Sequence, residues 1–344
     1  MNNLTKSLCR YPIVKLSVGV MLGLHLWLVS VGTTAGAGFS TIPSSAGALA
    51  SERTVEFTYR TTVELPDTGS ATAVHIPMPQ GTPWQEILSV SLSRNPKPDI
   101  YYDQTYGNKI LRYEFESPDG EIITLKQVYR VKRTNRVGSL EADVPDSPVL
   151  NGTYYSRYLT HHQYMQTNEK IKQIAGGLRK SSLHYSDRLR SVFDRVRGMM
   201  TYDKSGRGWG KGDIRYCLKV GKGNCTDFHT LFASIARELR IPSRFVMGFP
   251  IPRNRSRGTI GGYHCWVESY RPGDGWFPMD ISEADRHPDL VDFYFGQLDA
   301  DRLQFTRGKN IPLSNGERVN YLIYPKITGN KATSVKTRFH FRNL

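Results

Sequence analysis

The sequence contains few cysteines and only one long apolar run, and both scarcities limit what the protein is. Its 344 residues include four cysteines, Cys9, Cys217, Cys225 and Cys265. So few cysteines exclude a small fold that is held together by many disulfides, and the hydrophobic core must supply the stability. After residue 31, no apolar run approaches the ~20 residues that span a bilayer. We therefore expect no second membrane-spanning helix.

The first 37 residues differ in kind from the rest of the chain. Three basic residues precede an apolar run from Leu16 to Val31, and a small-residue site follows that run. These features are typical of a secretory signal peptide, here with cleavage after Ala37. An uncleaved anchor is the alternative, because the run approaches the length that spans a bilayer. Residues 38–52 are small and polar, and we interpret them as a flexible leader.

Acidic residues are scarce relative to basic ones. Asp and Glu total 31 against 46 Lys and Arg, and the net charge of +15 falls to +12 when Lys6, Arg10 and Lys15 leave with the signal. For an exported protein, the anionic partners are cell-envelope polymers and lipid head groups rather than nucleic acid. The basic residues are dispersed, with one local cluster at residues 253–257. A solvated loop without a partner explains that cluster equally well.

Residues 53–135 show the alternation that is typical of β-strands. Mostly apolar side chains occupy every second position from Val55 to Val63, and further short apolar segments follow, separated by Pro, Asp, Asn and Gly. Several short strands at this spacing predict an antiparallel β-sandwich domain. Residues 136–165 are rich in Gly, Pro and Asp and predict a linker. Residues 166–344 then form the second domain.

The second domain is expected to begin with two helices and to end with two strands. Thr167 or Asn168 can cap the first helix, and Ser186 can cap the second. The final strands are expected near residues 320–324 and 335–341, where they would extend the sheet of this domain.

Residues 221–239 combine a tight turn with an amphipathic helix. Gly221 and Gly223 give the turn, and the helix is predicted to start at or beside Cys225, with Asp227 in its first turn. Backbone N–H groups at a helix start favour a thiolate over a thiol, which makes Cys225 a candidate nucleophile. A small buried hydrophobe on a core helix is the alternative.

A thiol nucleophile needs a base, and the base needs a partner that fixes its tautomer. His264 lies on one predicted strand, and a second strand after the turn at residues 271–275 ends at Asp280. Pairing of these strands would place the carboxylate against the imidazole. Cys225, His264 and Asp280 are thus the candidate catalytic residues. His229, one turn into the helix, is a supporting group or a buried polar residue.

Four motifs then follow in order along residues 202–280: Gly-x-Gly-Asn-Cys-Thr-Asp-Phe-His, Arg-x-Leu-x-Ile-Pro-x-Arg-Phe, Gly-Tyr-His-Cys-Trp-x-Glu and Gly-Trp-x-Pro-x-Asp. Together they resemble the bacterial transglutaminase-like superfamily. The resemblance implies an α+β protein with a papain-like transglutaminase core, here preceded by the antiparallel β-sandwich, and a Cys-His-Asp triad. It also implies a peptide or protein substrate and no cofactor.

The resemblance leaves the reaction open. Acyl transfer through a thioester on a peptide or glutamine carboxamide covers transglutaminase, deamidase and cysteine peptidase chemistry, while a catalytically silent scaffold that binds an envelope protein or the cell wall is the alternative. The Cys225 N–H is the expected oxyanion donor. Trp209, in the glycine-rich loop before the nucleophile, is the candidate for a second donor.

Three other arrangements are open from residue types alone. Cys217 and Cys265 could form a disulfide or remain buried thiols. A zinc site from these two cysteines with Cys225 and His264 is disfavoured, because neighbours on a strand point to opposite faces. Glu268 and Glu283 could be the carboxylate pair of a glycoside hydrolase, although nothing else in the sequence supports it.

We predict that the protein isolated from its host begins near Gly38, because the small-residue site follows the apolar run at the distance that signal peptidases use. N-terminal sequencing of the extracytoplasmic fraction checks this. Recovery of the full-length chain from membranes would replace secretion with anchoring.

Overall fold

The computed structural model describes residues 50–65, 71–116, 120–139, 153–181, 184–329 and 334–344. The predicted signal peptide, nearly all of the predicted leader and part of the predicted linker lie outside these ranges. The strands are β1 Glu52–Glu64, β2 Thr72–Pro77, β3 Gln85–Leu92, β4 Asp99–Tyr102, β5 Lys109–Phe115, β6 Ile122–Thr134, β7 Arg136–Val137, β8 Thr201–Tyr202, β9 Lys222–Gly223, β10 Ser243–Pro250, β11 Arg257–Ile260, β12 His264–Arg271, β13 Gly275–Met279, β14 Gln297–Leu298, β15 Arg302–Arg307, β16 Ile311–Pro312, β17 Arg318–Val319, β18 Lys326–Gly329 and β19 Ser334–Asn343.

The helices are α1 Thr153–Leu159, α2 Glu169–Ser181, α3 Tyr185–Met199, α4 Ile214–Val220, α5 Cys225–Glu238, α6 Ile281–Arg286 and α7 Val291–Tyr294, with a 3₁₀ turn at Pro288–Leu290. Asn168 caps α2, since its Oδ1 accepts the Ile171 N–H at 2.9 Å. Ser186 caps no helix, because α3 already starts at Tyr185 after His184. Among the described residues, no helix combines the length and apolar character that crossing a bilayer requires.

Three antiparallel sheets carry most of the strands. One has the order β11-β19-β1-β6-β3, a second has the order β18-β2-β5-β4, and a third has the order β13-β12-β10-β15. β1 pairs with β6 over thirteen positions, from Glu52 opposite Thr134 to Glu64 opposite Ile122. The apolar alternation of β1 follows from this position, because one face of the strand is buried and the other is not.

The last strands of the chain do not extend the sheet of the second domain, and that expectation is wrong. β19 pairs with β1 over ten positions, from Val55 opposite Asn343 to Glu64 opposite Ser334. β18 pairs with β2. No strand covers residues 320–324; the strand in this region starts at Lys326. Sequence pattern identifies that a segment is extended, but the partner strand is selected by tertiary packing.

Two large apolar cores hold the sheets and helices together. The first core joins the inner faces of β1, β2, β5, β6, β10, β15 and β19, and Phe57 lies within it against Phe249, Phe305 and Phe339, with ring centroids 5.0 to 6.1 Å apart. The second core joins helices α2 to α6 to β12 and β13. Residues of β1 and β19, the first and last described strands, therefore share one core with the strands next to the nucleophile.

Helix α5 is the central element of the second core. Every residue from Cys225 to Arg237 is buried, so its amphipathic pattern understates how enclosed it is. β10 and β12 lie along it, and β12 pairs with β13 with Val267 opposite Met279. The predicted pairing between the strand of His264 and the strand that ends before Asp280 is thus present.

Candidate active site

Cys225 is the first residue of α5, and a reciprocal cap fixes the start of that helix. Asn224 Oδ1 accepts the Thr226 N–H at 2.9 Å, and the Asp227 carboxylate accepts the Asn224 N–H at 3.0 Å. Such a capping box satisfies two N–H groups that the helix cannot pair internally. As the first helical residue, Cys225 has its own N–H outside the helical bonding pattern. The thiol, 2% exposed, therefore lies at the positive end of the helix dipole.

The glycine-rich loop before α4 is tied to the same cap. Asp227 also accepts the Gly210 N–H at 2.6 Å and the Gly212 N–H at 3.0 Å. Both glycines have positive φ, which only glycine adopts without strain. The loop is therefore tightly turned and anchored to the helix start. Trp209 is half-buried in this loop, directly before an anchored residue, and its role as an oxyanion donor stays a prediction.

His264 is the first residue of β12, and its Nε2 lies 2.6 Å from Asp280 Oδ2. Asp280 follows β13 directly and caps α6, where its Oδ1 accepts the Glu283 N–H at 3.1 Å. With Nε2 engaged by the carboxylate, Nδ1 is the ring nitrogen available to the thiol. This is the geometry in which one imidazole bridges a carboxylate and a nucleophile.

Asp280 is completely buried and has a second cationic partner that the sequence did not reveal. Arg302, on β15, donates from Nη1 to Asp280 Oδ2 at 2.7 Å and from Nη2 to Asp299 at 2.9 Å. Burial alone would raise the pKa of Asp280, but the charges of His264 and Arg302 and the hydrogen bond from His264 hold that pKa well below its usual range. Asp280 is therefore ionised.

The same contacts shift the pKa values of Cys225 and His264 in opposite directions. Burial raises the pKa of the Cys225 thiol, but hydrogen bonding with Cys265 and His264, together with the charge on His264, lowers it to about 6. Burial lowers the pKa of His264, whereas Asp280 and Cys225 raise it to about 10. Between these values the thiolate and the imidazolium coexist. A preformed thiolate is the reactive form of a cysteine nucleophile.

His229 supports the site from inside α5. Its Nε2 accepts the Ile281 N–H at 3.1 Å, so its Nδ1 carries the ring proton, 3.8 Å from Cys265 Sγ. Burial lowers the pKa of His229 to about 4, which keeps the ring neutral. Both expectations for His229 describe its position. It is a buried polar residue, and its hydrogen bond with Ile281 supports the start of α6 next to Asp280.

Tyr263 brings a phenol to the start of α5. Its hydroxyl lies 2.8 Å from Thr226 Oγ1 and 3.2 Å from Asn224 Nδ2, the side chains on either side of Cys225. Because the amide nitrogen can only donate, the Tyr263 oxygen accepts from Asn224, whereas in the contact with Thr226 either hydroxyl can be the donor. Burial and the charge of Cys225 raise the pKa of Tyr263, so the phenol keeps its proton.

A cleft of about 670 Å³ opens beside His264. Its lining includes Tyr202, Tyr263 and His264, together with charged side chains of the loop after β10, of α6 and of residues 299–302. The cleft gives a substrate a route to the imidazole. Tyr202 and Lys204 of the glycine-rich region contribute to its wall.

The cysteine alternatives are decided by the positions of the thiols. Cys217, Cys225 and Cys265 are all free and buried, so the disulfide between Cys217 and Cys265 is absent and the buried-thiol alternative is correct. Cys217 Sγ faces the Asp227 carbonyl oxygen at 3.7 Å, whereas Cys265 Sγ faces His229 and Thr226. The two thiols thus have different partners. In the described ranges, no three His, Cys, Asp or Glu side chains are grouped as metal ligands.

Glu268 and Glu283 do not form a carboxylate pair. Glu268 is buried between Arg136 and Arg244, and although burial raises its pKa, the two guanidinium charges lower it to about 2. Glu283 binds Arg286 at 2.7 Å at the edge of the cleft. The glycoside hydrolase alternative is therefore wrong, because an ionised, enclosed carboxylate cannot serve as the acid.

Arg302 and Tyr263 are the site residues that sequence reasoning missed. Arg302 lies on a separate strand, 22 residues after Asp280. Tyr263 directly precedes the candidate base in the Gly-Tyr-His-Cys-Trp-x-Glu motif. Its position next to His264 could have indicated that it belongs to the site.

Comparison with known proteins finds a family model that matches the segment carrying these three residues. Residues 172–281, which include Cys225, His264 and Asp280, match the model of the transglutaminase-like superfamily. An uncharacterized protein of Haemophilus influenzae is 23% identical over 237 residues, which cover 62% of this chain and 64% of that protein. The chain thus spans less than two thirds of the length of that relative.

Two solved structures are similar to the chain. A protein from Cytophaga hutchinsonii that has been proposed to be a cysteine protease superposes with a TM-score of 0.61 at 16% identity, covering 86% of this chain and 92% of that one. The periplasmic domain of TgpA from Pseudomonas aeruginosa has 15% identity and a TM-score of only 0.38, covering 71% of this chain and 91% of that domain. The first likeness shows a shared fold alone. The α+β fold class expected from the sequence is confirmed.

We predict that Cys225 reacts with iodoacetamide with a midpoint near pH 6, because its pKa is lowered to about 6, against ~8.5 for a free thiol. His264→Ala should move the midpoint upward, because the cation that stabilises the thiolate is lost. The measurement is the alkylation rate against pH, with peptide mapping to locate the label. Cys225→Ala is the control and should lose the fast label. A wild-type profile like that of an ordinary thiol would contradict the prediction.

Proposed function

We propose that this chain, which carries a transglutaminase-like core at residues 172–281, is an exported enzyme that transfers acyl groups through a thioester on Cys225. The carrying observation is the 2.6 Å contact between His264 and a buried, ionised Asp280, next to a thiol at a helix start. The substrate is a peptide or protein, and its reacting group is a peptide bond or a glutamine carboxamide. Neither the formation nor the breakdown of the thioester requires a cofactor.

In the first step, the Cys225 thiolate adds to the carbonyl carbon of the substrate. A C–S bond forms, and the electron pair of the C=O bond moves to oxygen. When the tetrahedral intermediate collapses, the C–N bond breaks and His264 gives its proton to the leaving amine or ammonia. Asp280 holds the imidazole ring in place throughout, because its carboxylate binds Nε2 and leaves Nδ1 for the proton transfers.

In the second step, an amine or a water attacks the thioester. The attacking nucleophile loses a proton to the now neutral His264, the C–S bond breaks, and the thiolate is restored. An amine acceptor gives transglutamination, whereas water gives deamidation or proteolysis. The cleft beside His264 is open to water, and it supports either acceptor.

The tetrahedral intermediate needs hydrogen-bond donors for its oxyanion. The Cys225 N–H at the start of α5 is the first donor. The Tyr263 O–H is a second, because its hydroxyl lies beside both neighbours of Cys225 and already accepts a hydrogen bond from Asn224. Accepting that bond polarises the phenol and makes it a better donor. Trp209 remains the donor proposed from sequence; its ring has no comparable contact among the described residues.

Export rests on the first 37 residues, whose pattern is that of a signal peptide. An exported location fits the surplus of basic residues, since the envelope is rich in anionic polymers. The proposed peptide substrate would then be a protein or a wall component outside the inner membrane.

A catalytically silent scaffold is the second candidate, and the burial of the site favours it. Cys225 is 2% exposed and His264 7% exposed, so little of either side chain is open to a substrate. A scaffold would retain the fold and bind an envelope component without turnover. The kinetic experiment below separates the two.

We expect Asp280→Asn to lower turnover per folded molecule by about 10²–10³-fold, because the amide presents a donor to the imidazole where an acceptor is needed. The assay incubates the protein with glutamine-containing peptides, with and without a primary amine, and reads products by mass spectrometry. Circular dichroism on the same preparation measures the folded fraction.

The matched control is Asp103→Asn. Asp103 is also buried and accepts the N–H groups of Thr105, Tyr106 and Asn108, but it belongs to the turn after β4. Its substitution should cost stability and leave turnover per folded molecule intact. Wild-type turnover in folded Asp280→Asn would reduce the site to a Cys-His dyad. Absence of turnover in the wild type with every peptide would favour the scaffold.

A second prediction concerns Tyr263→Phe. If the phenol donates to the oxyanion, kcat should fall by up to about 10²-fold, while KM and the alkylation midpoint of Cys225 stay close to the wild-type values. Tyr324→Phe is the control, since Tyr324 packs edge-on against the Tyr263 ring at 5.9 Å. An equal loss in both variants would assign Tyr263 a packing role only.

A further inference from the structure

Three carboxylates line the cleft beside His264, and each is paired with an arginine. The side chains of Asp299 and Asp301 are 1% and 5% exposed, and that of Glu283 is 13% exposed. Arg302 binds Asp299, Arg53 binds Asp301 at 2.6 Å, and Arg286 binds Glu283. A molecule that enters the cleft therefore meets little free negative charge.

Three cations that line the same cleft, Lys204, Arg253 and Arg286, are exposed, and we call them the rim. The side chains of Arg253 and Arg286 are 36% and 46% exposed, and Lys204 is exposed as well. Arg253 uses Nε and Nη2 to bind Asp301, Asp299 and Tyr294, and Arg286 uses Nη1. Within the described part of the chain, Nη1 of Arg253 and Nε and Nη2 of Arg286 hold no acceptor. These N–H groups point to a ligand with negative charge.

Tyr202 connects the cationic rim to the nucleophile. The Arg286 guanidinium lies 5.0 Å from the centre of the Tyr202 ring, and the Lys204 ammonium lies 5.5 Å from it. Tyr202 belongs to β8, which runs parallel to β9 with Tyr202 opposite Gly223, two residues before Cys225. Two exposed cations thus stand on one aromatic ring beside the start of α5.

We propose that the enzyme selects acyl donors that carry a carboxylate within one or two residues of the reactive amide. The carboxylate binds the rim formed by Lys204, Arg253 and Arg286, and the amide then reaches Cys225 past Tyr202. This selectivity rests on the proposed acyl-transfer function and specifies its substrate class as acidic peptides. Guanidinium groups suit the task, because they bind carboxylates with paired N–H donors.

The charge arrangement favours this class over a basic or a neutral peptide. A substrate lysine would meet exposed cations before it reached the buried carboxylates, and like charges at close range are repelled. Contacts of a single exposed charge pair contribute up to roughly fivefold in affinity. Two or three rim contacts together are expected to give about tenfold discrimination between acidic and basic peptides.

The test uses three synthetic peptides with one central glutamine, flanked on each side by glutamate, serine or lysine. Mass spectrometry measures the acyl-enzyme on Cys225 and the released product at low and at high salt. We expect kcat/KM for the glutamate-flanked peptide to exceed that for the lysine-flanked peptide by about tenfold at low salt, and the ratio to shrink at high salt because salt screens exposed charges. Equal values for the two peptides would overturn the proposal.

Substitutions assign the preference to the rim. The double variant Lys204→Gln with Arg286→Gln should lower the ratio to about twofold, because only Arg253 remains on the rim, and Arg286→Glu should lower the ratio more than Arg286→Gln does. Lys170→Gln, an exposed cation on α2 outside the cleft, is the matched control and should keep the wild-type ratio. Thermal melts followed by circular dichroism show that each variant is folded. A ratio that stays at about tenfold in the double variant would also overturn the proposal.

The outcome separates this inference from the function on which it rests. If the wild type acylates none of the three peptides, the proposed acyl transfer fails for this substrate type. If it acylates all three at the same rate, acyl transfer stands and the acidic-peptide class is wrong. A salt-dependent preference that the rim variants weaken supports both.

Discussion

The ionised carboxylate of Asp280 is the interaction on which the site depends. A fully buried charge is costly unless several donors surround it, and Asp280 has them from three elements: His264 on β12, Arg302 on β15 and the backbone and Ser282 of α6. The same carboxylate that orients the imidazole therefore holds two strands and a helix in register. One side chain therefore serves both the packing of these elements and the proposed chemistry.

The charges around Asp280 alternate in sign from one group to the next. Arg302 is positive, Asp280 is negative, His264 carries a proton up to a pKa of about 10, and Cys225 loses its proton at a pKa of about 6. Each group compensates the charge of its neighbour, because burial leaves little water to do so. Removal of one member leaves the next one buried and unpaired, which costs more than the lost contact itself. This explains how a thiolate persists at a site with almost no exposure.

Local patterns predicted what depends on neighbours in sequence. The start of α5 at Cys225, the pairing of β12 with β13 and the contact of His264 with Asp280 all follow from short segments joined by tight turns. Patterns could not predict what depends on packing over long distances. Arg302 reaches Asp280 only because β15 lies beside β10, and Cys217 and Cys265 do not pair because α4 and β12 present them to different partners. The pairing of β19 with β1 likewise depends on packing over a long distance in sequence.

The position of β19 sets the order in which the protein can be completed. β1 lies between β6 and β19, so one edge of the first strand stays unpaired until residues 334–343 are present. During synthesis, the N-terminal strands therefore emerge long before their sheet can close. Closure of a contact this distant in sequence is slow. The sheet of β1 therefore stays open until the end of synthesis, and Phe57 is fully enclosed only when β19 adds its strand.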